Sequence, residues 1–108
     1  MDTSSDTLAR LERVISARLG ASPEDSYVAK LHARGLPVIA RKLGEEATEA
    51  VVAALAGDDP ELVGEAADVI FHLLVLLAEK GIPLADVLAE LDRREGTSGL
   101  VEKAARSE

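Results

Sequence analysis

The chain has no cysteine and no tryptophan, and its 108 residues include one tyrosine (Tyr27), one phenylalanine (Phe71) and one methionine. Without cysteine, disulfides, thiolate metal sites and thiol nucleophiles are excluded. That absence agrees with a reducing compartment, and cytoplasmic residence is the expectation. Long hydrophobic runs are missing too. No stretch reaches the roughly 18 apolar residues that span a bilayer, and His72 interrupts the best candidate. The first residues do not read as a secretory signal, because two aspartates and no basic residue precede Arg10. Positive charge is scarce: 12 Lys and Arg stand against 20 Asp and Glu, a formal net charge of −8. General DNA or RNA binding needs clustered cations against phosphate and is not expected.

What is present is helix-forming. Hydrophobic residues make up 47% of the chain, and 18 are Ala and 16 are Leu. These are the strongest helix formers, and the β-favouring aromatics are nearly gone. An all-α fold follows, as one domain over residues 1–108. Polar residues 1–5 are expected to fray, and residues 96–108 to be irregular or mobile.

The punctuation predicts five helices. The first starts near Ser5 or Asp6 and ends at Gly20 as a left-handed cap. A short helix, with Ser22 as N-cap and Pro23 at its first position, carries Tyr27, Val28 and Leu31 and stops near Gly35. A long helix runs from about Pro37 to Ala56. Asp58-Asp59-Pro60 opens the next, which runs to Lys80 before Gly81. Pro83 opens the last, which ends near Arg94. From Val69 to Ala78 the sequence is apolar nearly all round. A surface helix would interrupt such a run with polar residues. A second copy of the chain would cover it, so a homodimer or higher homo-oligomer is expected.

Chemistry is carried by acids on the two long helices: Glu45, Glu46 and Glu49 on one, Glu61, Glu65 and Asp68 on the next. Residues three and four apart share a helix face, so Glu46 pairs with Glu49 and Glu65 with Asp68. The short connection makes the helices antiparallel neighbours, and folding the hairpin can bring the pairs opposite each other. Four converging carboxylates repel unless a cation sits among them, and Mg2+ is the hard cation that takes oxygen ligands. The alternative is two solvated acidic faces. From Ser26 to Gly44 there is no acid, but Lys30, Arg34, Arg41 and Lys42 make that window +4 within a chain of −8. An acid-held cation beside a basic patch suits a polyphosphate. Lys42 has an ordinary alternative as a helical salt bridge to Glu45 or Glu46. His32 reads as a surface residue. His72, one turn beyond Asp68, reads as a hydrogen-bonded core histidine, with a supporting role to the site as the alternative.

Three stretches together resemble the phosphoribosyl-ATP pyrophosphatase family: Ser26-Tyr27-Val28-Ala29-Lys30-Leu31, Lys42-Leu43-Gly44-Glu45-Glu46-Ala47-x-Glu49, and Glu65-Ala66-Ala67-Asp68-x-x-x-His72 followed by Leu73 to Leu77. These are histidine-biosynthesis enzymes within the all-α, MazG-like class of nucleoside triphosphate pyrophosphohydrolases. The resemblance covers Leu8 to Arg94, and Ser98 to Ala104 also looks like the end of many members. The acid pairs mark only the class; the Ser-Tyr-Val-Ala-Lys-Leu stretch points to the family. The resemblance implies a bundle of four to five helices completed by dimerisation. It implies Mg2+-dependent hydrolysis of phosphoribosyl-ATP to phosphoribosyl-AMP and pyrophosphate. It implies Glu46, Glu49, Glu65 and Asp68 as metal ligands, and Glu45, Glu46 and Glu49 as the catalytic acids, with Glu45 a further ligand or the base that orients water. It makes Lys30, Arg34 and Lys42 phosphate contacts. Pro83 departs from the family pattern, where a Ser or similar helix cap is common. Two other readings remain at this point: a general (deoxy)nucleoside triphosphate pyrophosphatase of the same class, and a non-catalytic acidic helical module that docks a partner protein.

Overall fold

A computed structural model describes residues 3–95. These form five helices, α1 (Thr3–Arg18), α2 (Tyr27–Arg34), α3 (Leu36–Ala56), α4 (Asp59–Lys80) and α5 (Leu84–Arg94), and no strand occurs among the described residues. The fold class is all-α, as expected. The expectation for residues 96–108 lies outside the described residues, as does that for residues 1 and 2.

Three local expectations need correction. Residues 3–5 are helical, so α1 starts earlier than Ser5. Gly20 does not adopt a left-handed conformation: among the described glycines, only Gly35 (φ 99°) and Gly81 (φ 71°) have positive φ. The chain leaves α1 instead through a tight turn, in which Ala21 N–H donates to the Arg18 carbonyl at 3.1 Å. The N-cap of α2 is Ser26, not Ser22. The buried Ser26 hydroxyl accepts from Ala29 N–H at 3.2 Å, while the Ser22 hydroxyl accepts from Glu24 N–H within its own turn. Both serines can cap, and the chain uses the one at the protein interior.

The α3–α4 hairpin is the spine of the molecule. Only Gly57 and Asp58 separate the two helices. The Asp58 carboxylate accepts from Glu61 N–H at 2.9 Å, and Pro60 sits in the first turn, where it costs no hydrogen bond. Gly81 closes α4 in the left-handed region, its N–H donating to Ala78. Pro83, the N-cap of α5, has no side chain that can accept. Glu12 of α1 supplies the missing cap: its Oε2 accepts from Leu84 N–H at 2.7 Å.

The core is small and lies at one end of the hairpin. Ile15, Val28, Leu31, Ile39, Leu74 and Val75 form it, with Leu84 at its margin. These come from the start of α3, the second half of α4 and the flanking helices α1, α2 and α5. The run Val69–Ala78 is thus largely covered within one chain: Leu74 and Val75 are buried, while Ile70 and Leu73 keep 44% and 36% of their surface exposed. The two most exposed large apolar side chains among the described residues, Leu55 (84%) and Val63 (69%), lie towards the hairpin turn with Val51 and Val52; Leu91 of α5 is as exposed as these last two. There the two long helices are left uncovered among the described residues.

Candidate active site

The carboxylates sit midway along the hairpin, where the core gives out. Glu46 is carried inward by the buried face of α3, which also bears Ile39 and Ala53. It is 8% exposed, which is unusual for a glutamate. One carboxylate oxygen from each of Glu46, Glu49 and Glu65 falls in a group with no separation above 4.8 Å. Asp68 is not part of that group, but it lines the same cleft as Glu49 and Glu65. The cleft, about 510 Å³, opens between the helices towards Gly57, Glu61 and Gly64.

The electrostatics record the crowding. Glu46 is pushed up to about 7, first by a hydrogen bond with the Glu49 carboxyl, then by burial and by the Glu49 charge; Lys42 pulls the other way. Glu65 is also raised, by desolvation first and then by Glu49, Asp68 and Glu61. The Glu65 Oε2 atom is buried and has no hydrogen-bond partner among the described residues. An oxygen left without a donor beside other acids calls for a compensating group, and a cation is one that would satisfy it. Mg2+ binds oxygens at about 2.1 Å, which brings neighbouring ligand oxygens to about 3–4 Å from one another. The group needs only small side-chain adjustments to reach that geometry, so the residues fit such an ion.

The other sequence-predicted residues divide. Glu45 lies outside the cluster, on the outer flank of α3, where its carboxylate is 3.6 Å from Arg41 and 3.7 Å from Lys42. Lys42 also lies 3.8 Å from Glu46. It therefore makes the helical ion pairs and at the same time borders a second cleft, lined with Glu45, Glu46, Thr48 and Glu49, that touches the cluster. Lys30 and Arg34 are exposed on α2, and neither has an ion pair among the described residues. His32 is at the surface, its Nδ1 2.7 Å from the Glu79 carboxylate. His72 is buried and hydrogen-bonded at both nitrogens, to Tyr27 and to the backbone carbonyl of Asp68. Sequence reasoning did not connect Tyr27 to this region, and a partner 45 residues away leaves no local signal. The acids are gathered on facing helices, rather than scattered as the docking-module reading required.

The comparisons agree with one another. Residues 8–95 match the family model described as phosphoribosyl-ATP pyrophosphohydrolase. The phosphoribosyl-ATP pyrophosphatase of Rhizorhabdus wittichii is 68% identical over 100 residues, covering 93% of this chain and 94% of the relative. That of Novosphingobium aromaticivorans is 66% identical (94% and 95% covered), and that of Erythrobacter litoralis 65% (95% and 99%).

Proposed function

The chain belongs to the phosphoribosyl-ATP pyrophosphohydrolase family, and we propose that it hydrolyses phosphoribosyl-ATP to phosphoribosyl-AMP and pyrophosphate, in histidine biosynthesis, at a Mg2+ centre held by Glu46, Glu49, Glu65 and Asp68. The observation that carries the metal reading is the group of three converging carboxylates, one of which, Glu65, has a buried oxygen without a partner. Mg2+ bound there supplies charge neutralisation and polarisation of a phosphoryl oxygen.

The chain's own residues account for the rest. Glu46, pushed up to about 7, keeps a proton below neutral pH, and gaining a cation there means giving it up. A carboxylate of this set, freed from that proton, is suited to accept one from an attacking water. Glu45, on the outer flank beside Lys42, keeps the role of a further acid at the rim. Lys42 borders the cleft next to Glu46, where it would meet the polyphosphate. Lys30 and Arg34, without ion pairs among the described residues, are the further cations for phosphate. Pyrophosphate leaves as an anion, and these cations oppose its charge.

The protein works as a homodimer in this reading. Val51, Val52, Leu55 and Val63 form an apolar surface that a second hairpin would cover. No helix among the described residues is long and apolar enough to cross a membrane. The substrate is a charged nucleotide intermediate made and used within the cell, and the reading places the enzyme in the cytoplasm. The test is substrate preference: the rate of pyrophosphate release from phosphoribosyl-ATP set against a panel of deoxynucleoside triphosphates. A strong preference for phosphoribosyl-ATP is expected; equal rates would contradict the substrate assignment.

A further inference from the structure

The hydrolysis described above uses neither Tyr27 nor His72, yet the two are joined directly to the site. His72 is 5% exposed and held at both ring nitrogens. Its Nδ1 lies 2.7 Å from the Asp68 carbonyl oxygen, and its Nε2 lies 2.9 Å from the Tyr27 hydroxyl. A carbonyl can only accept, so Nδ1 donates; in the neutral ring Nε2 then accepts from the Tyr27 hydroxyl. The ring is also clamped edge-on by Tyr27 (5.7 Å between centroids) and by Phe71 (5.2 Å). Tyr27 and Phe71 stack on each other at 6.1 Å. The only tyrosine and the only phenylalanine of the chain are both placed against this imidazole.

Packing alone does not explain the arrangement. Tyr27 is 46% exposed, so the phenol is not there to be buried. The Asp68 carbonyl sits in mid-helix, where the helix ladder already provides it with a donor, so the imidazole bond is an addition to the helix. The Asp68 carboxylate makes no hydrogen bond or ion pair of its own among the described residues. No other side chain among the described residues is bonded to Asp68, and the His72 bond is the one that reaches its backbone from a side chain. Metal ligands must be held to a fraction of an ångström and some tens of degrees at most, and residues behind them supply that hold.

We infer that Tyr27 and His72 are positioning residues for the metal centre: the Tyr27 hydroxyl, acting through the His72 imidazole, holds the turn of α4 that presents Asp68 to the cleft. This rests on the metal reading given under the proposed function. A short helix that carries no carboxylate, α2, thereby acts on the site from 45 residues away in sequence.

The test is Mn2+ affinity, read from the electron paramagnetic resonance signal of the free ion, with the full-length protein and no substrate. Tyr27→Phe keeps the ring and its stacking and removes one oxygen. It should weaken Mn2+ binding about tenfold or more, the usual effect of losing a partner behind a metal ligand. His72→Gln can still reach Tyr27 but loses the ring nitrogen that faces the Asp68 carbonyl, and it should weaken binding similarly. Glu12→Gln, at the far α1–α5 contact, should lower the melting temperature and leave Mn2+ affinity at the wild-type value. Wild-type affinity in folded Tyr27→Phe or His72→Gln overturns the inference while leaving the metal reading in place. No Mn2+ binding by the wild-type protein overturns both.

Discussion

Glu46 and Glu49, one turn apart on α3, are hydrogen-bonded carboxyl to carboxyl, and that bond does the most to push Glu46 up to about 7. The shift favours the protonated form of Glu46 beside Glu49. The fold holds these groups together despite their charge, because the Glu46 stem lies on the buried face of α3 with Ile39 and Ala53. A metal held by these acids would therefore be linked to stability through the proton on Glu46.

The pH dependence follows from the sign of that shift. Between about 4.5 and 7 the folded state keeps a proton on Glu46 that the unfolded chain has released. In EDTA, this group's contribution to stability therefore falls as pH rises through that window. Binding of Mg2+ displaces the proton, so affinity should fall about tenfold per pH unit below 7 and level off above it. Calorimetric titration at pH 6, in buffers of different ionisation heat, should show about one proton released per ion bound.

Replacing Glu49 with Gln removes a charge that raises both Glu46 and Glu65. Like-charged helix neighbours cost a few tenths of a kcal/mol each. The metal-free variant at pH 8 should melt a few degrees above the wild type. Mg2+ should raise the melting temperature of the wild-type protein, and the variant should lose both that rise and turnover. Thermal melts with EDTA and with Mg2+ check both halves.

Leu55, 84% exposed near the hairpin turn, lies on the surface assigned to the second subunit. Sedimentation velocity should find a dimer for the wild type and a monomer for Leu55→Glu. A wild-type monomer at micromolar concentration would remove the proposed dimer.

Glu12→Ala leaves Leu84 N–H without its cap. Loss of a helix N-cap costs about 1 kcal/mol, or about 5 °C in a domain of this size. The melting temperature should drop by that amount with kcat unchanged, since the contact lies at the α1–α5 end, away from the carboxylates.

What could be read from the sequence was what local chemistry controls. Gly57, Asp58 and Pro60 mark the hairpin turn, and Gly81 the end of α4, because each serves a backbone need at its own position. With so short a turn, the three- and four-residue spacing of the acids was enough to set Glu46 and Glu49 opposite Glu65. It was not enough to show that Asp68 and Glu45 fall outside that group, since one residue is about 100° of rotation and the actual crossing of the helices decides the rest. Ser22 and Ser26 both look like caps; burial chooses Ser26. The Glu12 cap and the Tyr27–His72 bond span 72 and 45 residues, and nothing near either partner announces them. The apolar stretch Val69–Ala78 was legible as needing cover, but α1, α2 and α3 supply much of it, and the barest apolar surface is nearer the hairpin turn.

The central claim is that Glu46, Glu49, Glu65 and Asp68 hold the metal that makes this protein a phosphoribosyl-ATP pyrophosphohydrolase. Pyrophosphate release from phosphoribosyl-ATP, with and without Mg2+, by the wild type, Glu46→Gln and Asp68→Asn tests it most directly. The account predicts Mg2+-dependent release by the wild type and none above background by either variant, with helical content intact in all three. Full turnover by either variant, or undiminished release by the wild type in EDTA, would contradict it.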